Sequence, residues 1–333
     1  MNPKRRIIPV FIPHAGCPHA CVFCNQRRIS GAARPAGIND VRAAVSGAGD
    51  QPTELAFYGG SFTAIPEARQ NELLSAAAPF LSKNPENSVR ISTRPDCVDE
   101  ATAVRLKRYG VKTVELGAQS MCDDVLVASR RGHLSIDVVR AARVVKDAGL
   151  SLILQMMTGL PGDTREGSLY TAERFISMAP NGVRIYPAVV VRDTELYEMW
   201  RRGEYLEHTV EDAVGLCAVL CGMFGEADIP VIRLGLNATD DLSAGDAVAG
   251  AYHPAFGELV YSCIYLNRAM DMLAGAAPGS DVILGVAKGR VSIMTGQRRR
   301  NITALMQKFS LRSLKVIECG TGEREICRIT KGI

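Results

Sequence analysis

Cys17, Cys21 and Cys24 follow an apolar N-terminal stretch in the order CxxxCxxC. Thiolates are the usual protein ligands of iron-sulfur clusters, and this spacing can hold three irons of a [4Fe-4S] cubane. With three thiolates, one iron keeps an open coordination position, which suits a bound substrate or cofactor and not electron storage alone. Structural zinc also uses closely spaced cysteines, but a fourth Cys or His at matching spacing is not evident. His14 and His19 stand nearby at unsuitable offsets. Three merely structural cysteines is the weakest account of so tight a group on a Gly/Pro-rich loop.

A loop of this kind needs strands to hold it. The β-branched runs RIIPVFIP, ELAFYGG, SVRISTRP, KTVELGAQS, SLILQMMTG and GVRIYPA alternate with helical patterns at 66–81, 98–110 and 135–149. Within the last of these, Val138, Val139, Ala142 and Val145 recur at helical spacing before a stop at Gly149. Repeated βα units predict an α/β fold, with a parallel sheet curled into a partial or full (β/α) barrel. Its site should gather at the C-terminal ends of the strands. IPVIRLGL reads as one more strand. The expected plan is a barrel domain over 1–240 and a helical connector over 241–280, entered through the flexible-looking SAGDAVAG. A small basic α+β domain over 281–333 completes it.

The 333 residues suffice for a large core and a smaller second domain. Of ten cysteines only three cluster, which disfavours a secreted disulfide framework and suits a cytosolic metalloprotein. Lys4, Arg5 and Arg6 precede IIPVFIP, a run too short and proline-broken for a signal peptide; it reads as the first strand. No apolar stretch approaches the roughly 20 residues needed to cross a bilayer, so a soluble, cytoplasmic chain without membrane contact is expected. The charge is segregated: residues 288–333 hold eleven Lys/Arg against three Asp/Glu, although the whole chain is only +4. A basic segment of this kind is the footprint of a polyanion contact or a solvated face.

The stretch IPHAGCPHACVFCNQ, with Phe23 before the last cysteine, resembles the cluster loop of radical S-adenosylmethionine (SAM) enzymes. Further words sharpen the likeness to the radical domain of the Elongator catalytic subunit and its short bacterial relatives: STRPD, VELGAQS, RRGH, QMMTGLPGDT and RIYPAVVVRDTELYEMW, in that family's order. The resemblance implies a [4Fe-4S] cluster on Cys17, Cys21 and Cys24, and SAM on its open iron. Gly59 and Gly60, just after the second predicted strand, would then receive the methionine ammonium on their backbone. Ser92, Thr93, Arg94 and Gln119 would line the SAM cleft, with Arg94 toward a carboxylate and Gln119 toward a ribose hydroxyl. Met157 and Tyr186 would approach adenine, or equally belong to the barrel core; an ion pair with Asp96 is the alternative for Arg94. The Elongator subunits space their first two cysteines more widely and carry a following acetyltransferase domain. Neither feature is found here, so wobble-uridine carboxymethylation is not carried over.

The tail order, helix, Gly296-Gln297-Arg298-Arg299, helix, strand, resembles a KH RNA-binding core. A KH loop uses GxxG to bring backbone against phosphates, and Arg299 departs from its last glycine. Arg298, Arg299 and Arg300 are the expected RNA contacts. The function expected is therefore a radical SAM enzyme that modifies a base in structured RNA, with tRNA as partner and a flavodoxin or ferredoxin as reductant. Alternatives are a radical enzyme acting on a small molecule, similar to oxygen-independent coproporphyrinogen oxidases, and a non-catalytic iron-sulfur RNA-binding protein.

Overall fold

The computed structural model describes residues 6–17, 21–236, 242–322 and 325–329. Lys4, Arg5 and His19 lie outside the described residues. The chain divides into two compact units, one of residues 1–213 with 220–254, the other of residues 214–219 with 255–333.

In the first unit, seven strands form one parallel sheet: β1 (Arg6–Phe11), β2 (Thr53–Tyr58), β3 (Ser88–Thr93), β4 (Val111–Gln119), β5 (Ser151–Thr158), β6 (Gly182–Pro187) and, after the short β7 (Val189–Val191), β8 (Val231–Leu234). Their spatial order is β1-β2-β3-β4-β5-β6-β8, so each βα step adds the next neighbour and the sheet curls as a partial barrel. All seven correspond to the runs read from sequence.

The sheet has two chemically different faces. One carries Leu55, Phe57, Val89, Ile91, Val114, Leu116, Leu152, Leu154, Val183 and Ile185, all buried. Against it pack helices such as Glu100–Arg108 and Ser135–Asp147, the latter through Val138, Ala141, Ala142 and Val145. Each such aliphatic side chain contributes about 1.5–3 kcal/mol on full burial. Asp99 caps the first of these helices by accepting from Thr102 N at 2.8 Å, and Asp137 accepts from Leu134 N at 2.9 Å to start the second. The opposite face presents Glu54, Tyr58, Arg90, Ser92, Thr113, Glu115, Gln155, Arg184 and Tyr186. Parallel strands are usually apolar on both faces, so a polar face marks the side on which chemistry is placed.

SAGDAVAG, read as a flexible junction, contains strand β9 (Ala247–Gly250), antiparallel to β7. Its Ala/Gly composition lacks strand periodicity, and its partner lies far back in the chain, so no local signal announces it. The expected connector 241–280 thus divides between β9 in the first unit and the helix Phe256–Met272 in the second.

The second unit is a three-stranded sheet in the order β11-β10-β12, with β10 at Asp281–Val286, β11 at Ser313–Glu318 and β12 at Ile326–Arg328. β10 pairs in parallel with β11 and antiparallel with β12. Its core joins Val282, Leu284 and Val286 to Tyr265, Leu273, Met294, Ile302 and Leu305 of the helices. The buried Asn301 amide donates to Ser262 O at 2.9 Å and Met294 O at 3.1 Å, tying three helices together. Among the described residues, no helix is long and apolar enough to cross a membrane.

Candidate active site

The cysteine loop leaves the C-terminal end of β1 and is fixed against the end of β2 by backbone bonds. Ile12 N donates to Tyr58 O at 2.8 Å, His14 N to Gly59 O at 2.9 Å and Ser61 N to Ala15 O at 2.8 Å. Glycine is required for this approach. A Cβ at Gly60 would stand 2.5 Å from Ala15 O and 2.6 Å from Ile12 O, and one at Gly16 would stand 2.2 Å from Ser61 O. The space beside Gly60 is therefore used by the cysteine loop itself.

The three thiols differ in surroundings. Cys17 is exposed, whereas Cys21 and Cys24 are half-buried and pack against Val22, Phe23, Leu160, Val190 and Leu196. Val22 anchors this wall by donating to Ser129 O at 3.2 Å and accepting from Leu196 N at 2.7 Å. Burial, followed by the neighbouring Cys21 thiol, pushes Cys24 up to about 12. Such thiols need a cation to become thiolates, which suits ligands of a metal cluster. Among the described residues, no three His, Cys, Asp or Glu side chains group as a site for a single ion. Three thiolates match three irons of a cubane, whereas a structural zinc takes four ligands, so the chemistry of the donor set fits the cluster.

Arg131, given no role in the sequence reading, is buried beside this loop. Its Nη1 donates to Cys21 Sγ at 3.1 Å and its Nη2 to Gly117 O at 2.5 Å. Its Nε is buried without a partner among the described residues, as is Nδ1 of the nearby His133. Burial, then the Arg131 charge, lowers His133 to about 4, so its ring is neutral in the folded chain. Gln26 adds a donor to Cys24 Sγ at 3.4 Å.

The other predicted residues occupy successive strand ends, but they fall into separate hydrogen-bonded groups. Thr93 Oγ1 lies 3.0 Å from Ser61 Oγ and 2.6 Å from Thr63 Oγ1. Arg94 donates through Nε and Nη2 to both oxygens of Asp96, at 3.0 Å each, so much of its fork is already engaged. Gln119 is in the left-handed region with φ 71°, and its Oε1 accepts from Gln155 Nε2 at 3.2 Å. Met157 packs beside the apolar wall of the cysteine loop.

Ser92 and Tyr186 instead join a charged network on the polar face. Arg90 bridges Glu54 at 2.7 Å and Glu115 at 2.5 Å, and Arg184 reaches Glu115 at 2.8 Å. Ser92 Oγ donates to Glu115 at 3.2 Å, while Tyr186 and Tyr58 hydroxyls accept from Arg184 at 3.2 and 3.0 Å. Burial works against the Arg184 charge, but Glu115 beside it carries its pKa above the ordinary value. The sequence signal for this network was one charged residue inside each of several β-branched runs. Arg298, Arg299 and Arg300 lie in the second unit, exposed, the first two on the turn before the helix Arg300–Lys308 and the third at its first position. Gly296, Arg298 and Arg299 have φ of 74°, 51° and 62°.

Comparison with known proteins places these features in a family. The tRNA uridine(34) acetyltransferase of Methanocaldococcus infernus is 33% identical over 177 residues, 51% of this chain and 32% of that protein. Elongator complex protein 3 of Homo sapiens is 29% identical over 185 residues, 50% of this chain and 34% of its own length. The chain thus spans about a third of the length of the curated relatives it matches. In fold it is similar to the archaeal Methanocaldococcus infernus Elp3 lacking residues 1-46, with a TM-score of 0.62 at 24% identity over 81% of this chain and 63% of that one. Coproporphyrinogen III oxidase (HemN) from Escherichia coli follows with 0.51 at 14%, covering 67% and 53%. The Radical SAM superfamily profile matches residues 11–175, and that of the Radical_SAM C-terminal domain matches 180–265. Members of this superfamily are enzymes that use a [4Fe-4S] cluster with SAM. The two profiles run in series over the cysteine loop and over β2 to β6 and β8 of the large sheet, and on them the chain belongs to the radical SAM superfamily.

Proposed function

We propose that this enzyme modifies a base in structured RNA, with tRNA as the substrate class. The carrying observation is the region it shares with its relatives. The matched half of the chain is about 30% identical to a protein named for tRNA uridine chemistry and to Elongator complex protein 3. An exposed run of three arginines in the second unit supports the same reading through phosphate contact.

Cys17, Cys21 and Cys24 would hold the cluster, and Gly59, Gly60, Ser92, Thr93, Arg94, Gln119, Met157 and Tyr186 are the proposed surroundings of SAM. When bound, these two groups supply reductive cleavage of the sulfonium to a 5'-deoxyadenosyl radical. The chain's own residues then have three tasks. Phe23, Leu160, Val190 and Leu196 shield Cys21 and Cys24 from water. Arg131 sets a fixed positive charge against Cys21, where it would offset the negative charge of a bound cluster. The network of Glu54, Arg90, Glu115 and Arg184 holds hydroxyls of Ser92, Tyr58 and Tyr186 in place on the polar face, so that they are oriented before a ligand arrives. A flavodoxin or ferredoxin is the proposed electron donor, and Arg298, Arg299 and Arg300 are the proposed RNA contacts.

The test is mass spectrometry of total RNA nucleosides from cells with and without this protein. A tRNA nucleoside that disappears in its absence and returns with the wild-type chain, but not with Cys21→Ala, is the expected result. An unchanged tRNA profile, with SAM cleavage intact in the purified enzyme, sinks the RNA reading and favours a small-molecule substrate.

A further inference from the structure

Cys319 and Cys327 belong to none of this. Their sulfurs lie 3.5 Å apart in the second unit, both half-buried and free. Cys327 stands directly opposite Gly285 in the antiparallel pairing of β12 with β10. Cys319 follows the last residue of β11 and donates its N–H to Val286 O at 2.8 Å, so it flanks the same strand from the other side. Side chains on strands two apart are normally separated by whatever the middle strand places between them. Here that residue is Gly285. A Cβ on it would stand 2.5 Å from Cys319 Sγ and 2.6 Å from Cys327 Sγ, so any other amino acid would drive the thiols apart.

We propose that Cys319 and Cys327 form a redox-active dithiol that closes reversibly to a disulfide across Gly285. The two ends are chemically unequal. Thr321, with its hydroxyl 3.6 Å from Cys319 Sγ, lowers the Cys319 thiol, whereas Cys319 beside it raises Cys327. Cys319, with the Thr321 hydroxyl at its sulfur, is assigned as the attacking thiol, and Cys327, opposite Gly285, as the resolving one. With a low-molecular-weight disulfide such as glutathione disulfide as oxidant, the Cys319 thiolate attacks one of its sulfurs and expels a glutathione thiolate. Cys327 then loses its proton and attacks the Cys319 sulfur of the mixed disulfide. The second glutathione thiolate leaves and takes up a proton. Two protein thiols are oxidised by two electrons, and the oxidant is reduced to two thiols.

Regular strands flanking a third stand about 9.5 Å apart, farther than the 4.4–6.8 Å between Cα atoms that a relaxed disulfide spans. Closing the bond therefore draws β12, an edge strand of three residues, toward β11 over Gly285. A bond formed at that cost is readily reduced, as labile disulfides are and structural ones are not.

The experiment uses the cluster-loaded chain under anaerobic conditions in glutathione buffers from fully reduced to fully oxidised, followed by acid quench, alkylation and tryptic mass spectrometry. Cleavage at Lys315, Arg324 and Arg328 puts the two cysteines on separate peptides, 316–324 and 325–328. The expected result is a linked pair of these peptides that grows as both alkylated forms fall and disappears on adding dithiothreitol. Gly285→Ala, which keeps both thiols, is expected to lower the linked fraction at least tenfold. Cys327→Ser is expected to trap Cys319 as a mixed disulfide with glutathione. Absence of the linked pair in the most oxidising buffer, or a Gly285→Ala variant that links as readily as the parent, overturns the proposal.

Discussion

The cysteine loop and the basic turn at Gly296 both depend on left-handed or crowded backbone, but they use it in opposite ways. At the loop, Gly16 and Gly60 let main chain meet main chain, and Cys21 and Cys24 are lined by an apolar wall, with a buried guanidinium at Cys21. At the turn, Arg298 and Arg299 are held at φ 51° and 62°, conformations that glycine adopts at little cost, and their side chains are exposed. One region spends conformational strain on none of its functional side chains; the other places it on the arginines themselves. Enclosure therefore governs the first site and charge display the second, and the two should respond differently to substitution.

The sharpest separation is expected from Cys21→Ala. It should abolish 5'-deoxyadenosine formation by the reconstituted enzyme and lower its iron content, while circular dichroism stays close to the parent. Normal cleavage by that variant would break the assignment of the loop. Gly60→Val comes next, because its side chain would meet the carbonyls of Ile12 and Ala15. A loss of about 1–3 kcal/mol in unfolding free energy is expected, together with poor cluster loading; unchanged stability would show that the crowding at the loop is not a constraint.

The enclosed region also carries a pH signature. His133 has a folded-state value of about 4 against 6.5 for an ordinary histidine. Because the unfolded chain binds the proton more readily, the neutral ring's contribution is complete above about 6.5 and is lost as pH falls through about 4, up to about 3 kcal/mol. His133→Gln should flatten this part of the urea-unfolding profile, and an identical slope in parent and variant would remove His133 from the account.

Effects at the turn should be smaller and dependent on salt. Replacing Arg298, Arg299 and Arg300 by Gln should reduce the slope of log affinity for tRNA against log salt by roughly 0.7 per lost contact to single-stranded RNA. SAM cleavage without RNA should be unaffected. Arg299→Gly should gain about 1 kcal/mol of stability by relieving the left-handed arginine, yet weaken RNA binding. A variant that neither stabilises nor binds more weakly would erase the contrast between the two regions.

What could be read from the sequence divides along physical lines. The thiols of the loop lie within eight residues and the strands announce themselves by β-branched runs, so both were legible. Glu54, Arg90, Glu115 and Arg184 were not, because each alone reads as a surface charge and only the sheet register brings them together. Arg131 was visible in RRGH but had no partner until the fold set it against Cys21. For Arg94 the weighed ion pair with Asp96 is present, a two-residue contact that needs no tertiary information. β9 and the approach of Cys319 to Cys327 depend on pairings that no local pattern encodes.

The alternation of Glu54, Arg90, Glu115 and Arg184 has a consequence for how this protein can change over generations. Removing one member strands a buried charge, at a cost of about 3–5 kcal/mol, whereas removing an opposite pair can be close to neutral. Four positions spread over 130 residues are thus bound into a shared inheritance: drift at one is tolerated chiefly when a neighbour in the chain of charges drifts with it. Descendant sequences should lose the network in oppositely charged pairs, and rarely one residue at a time.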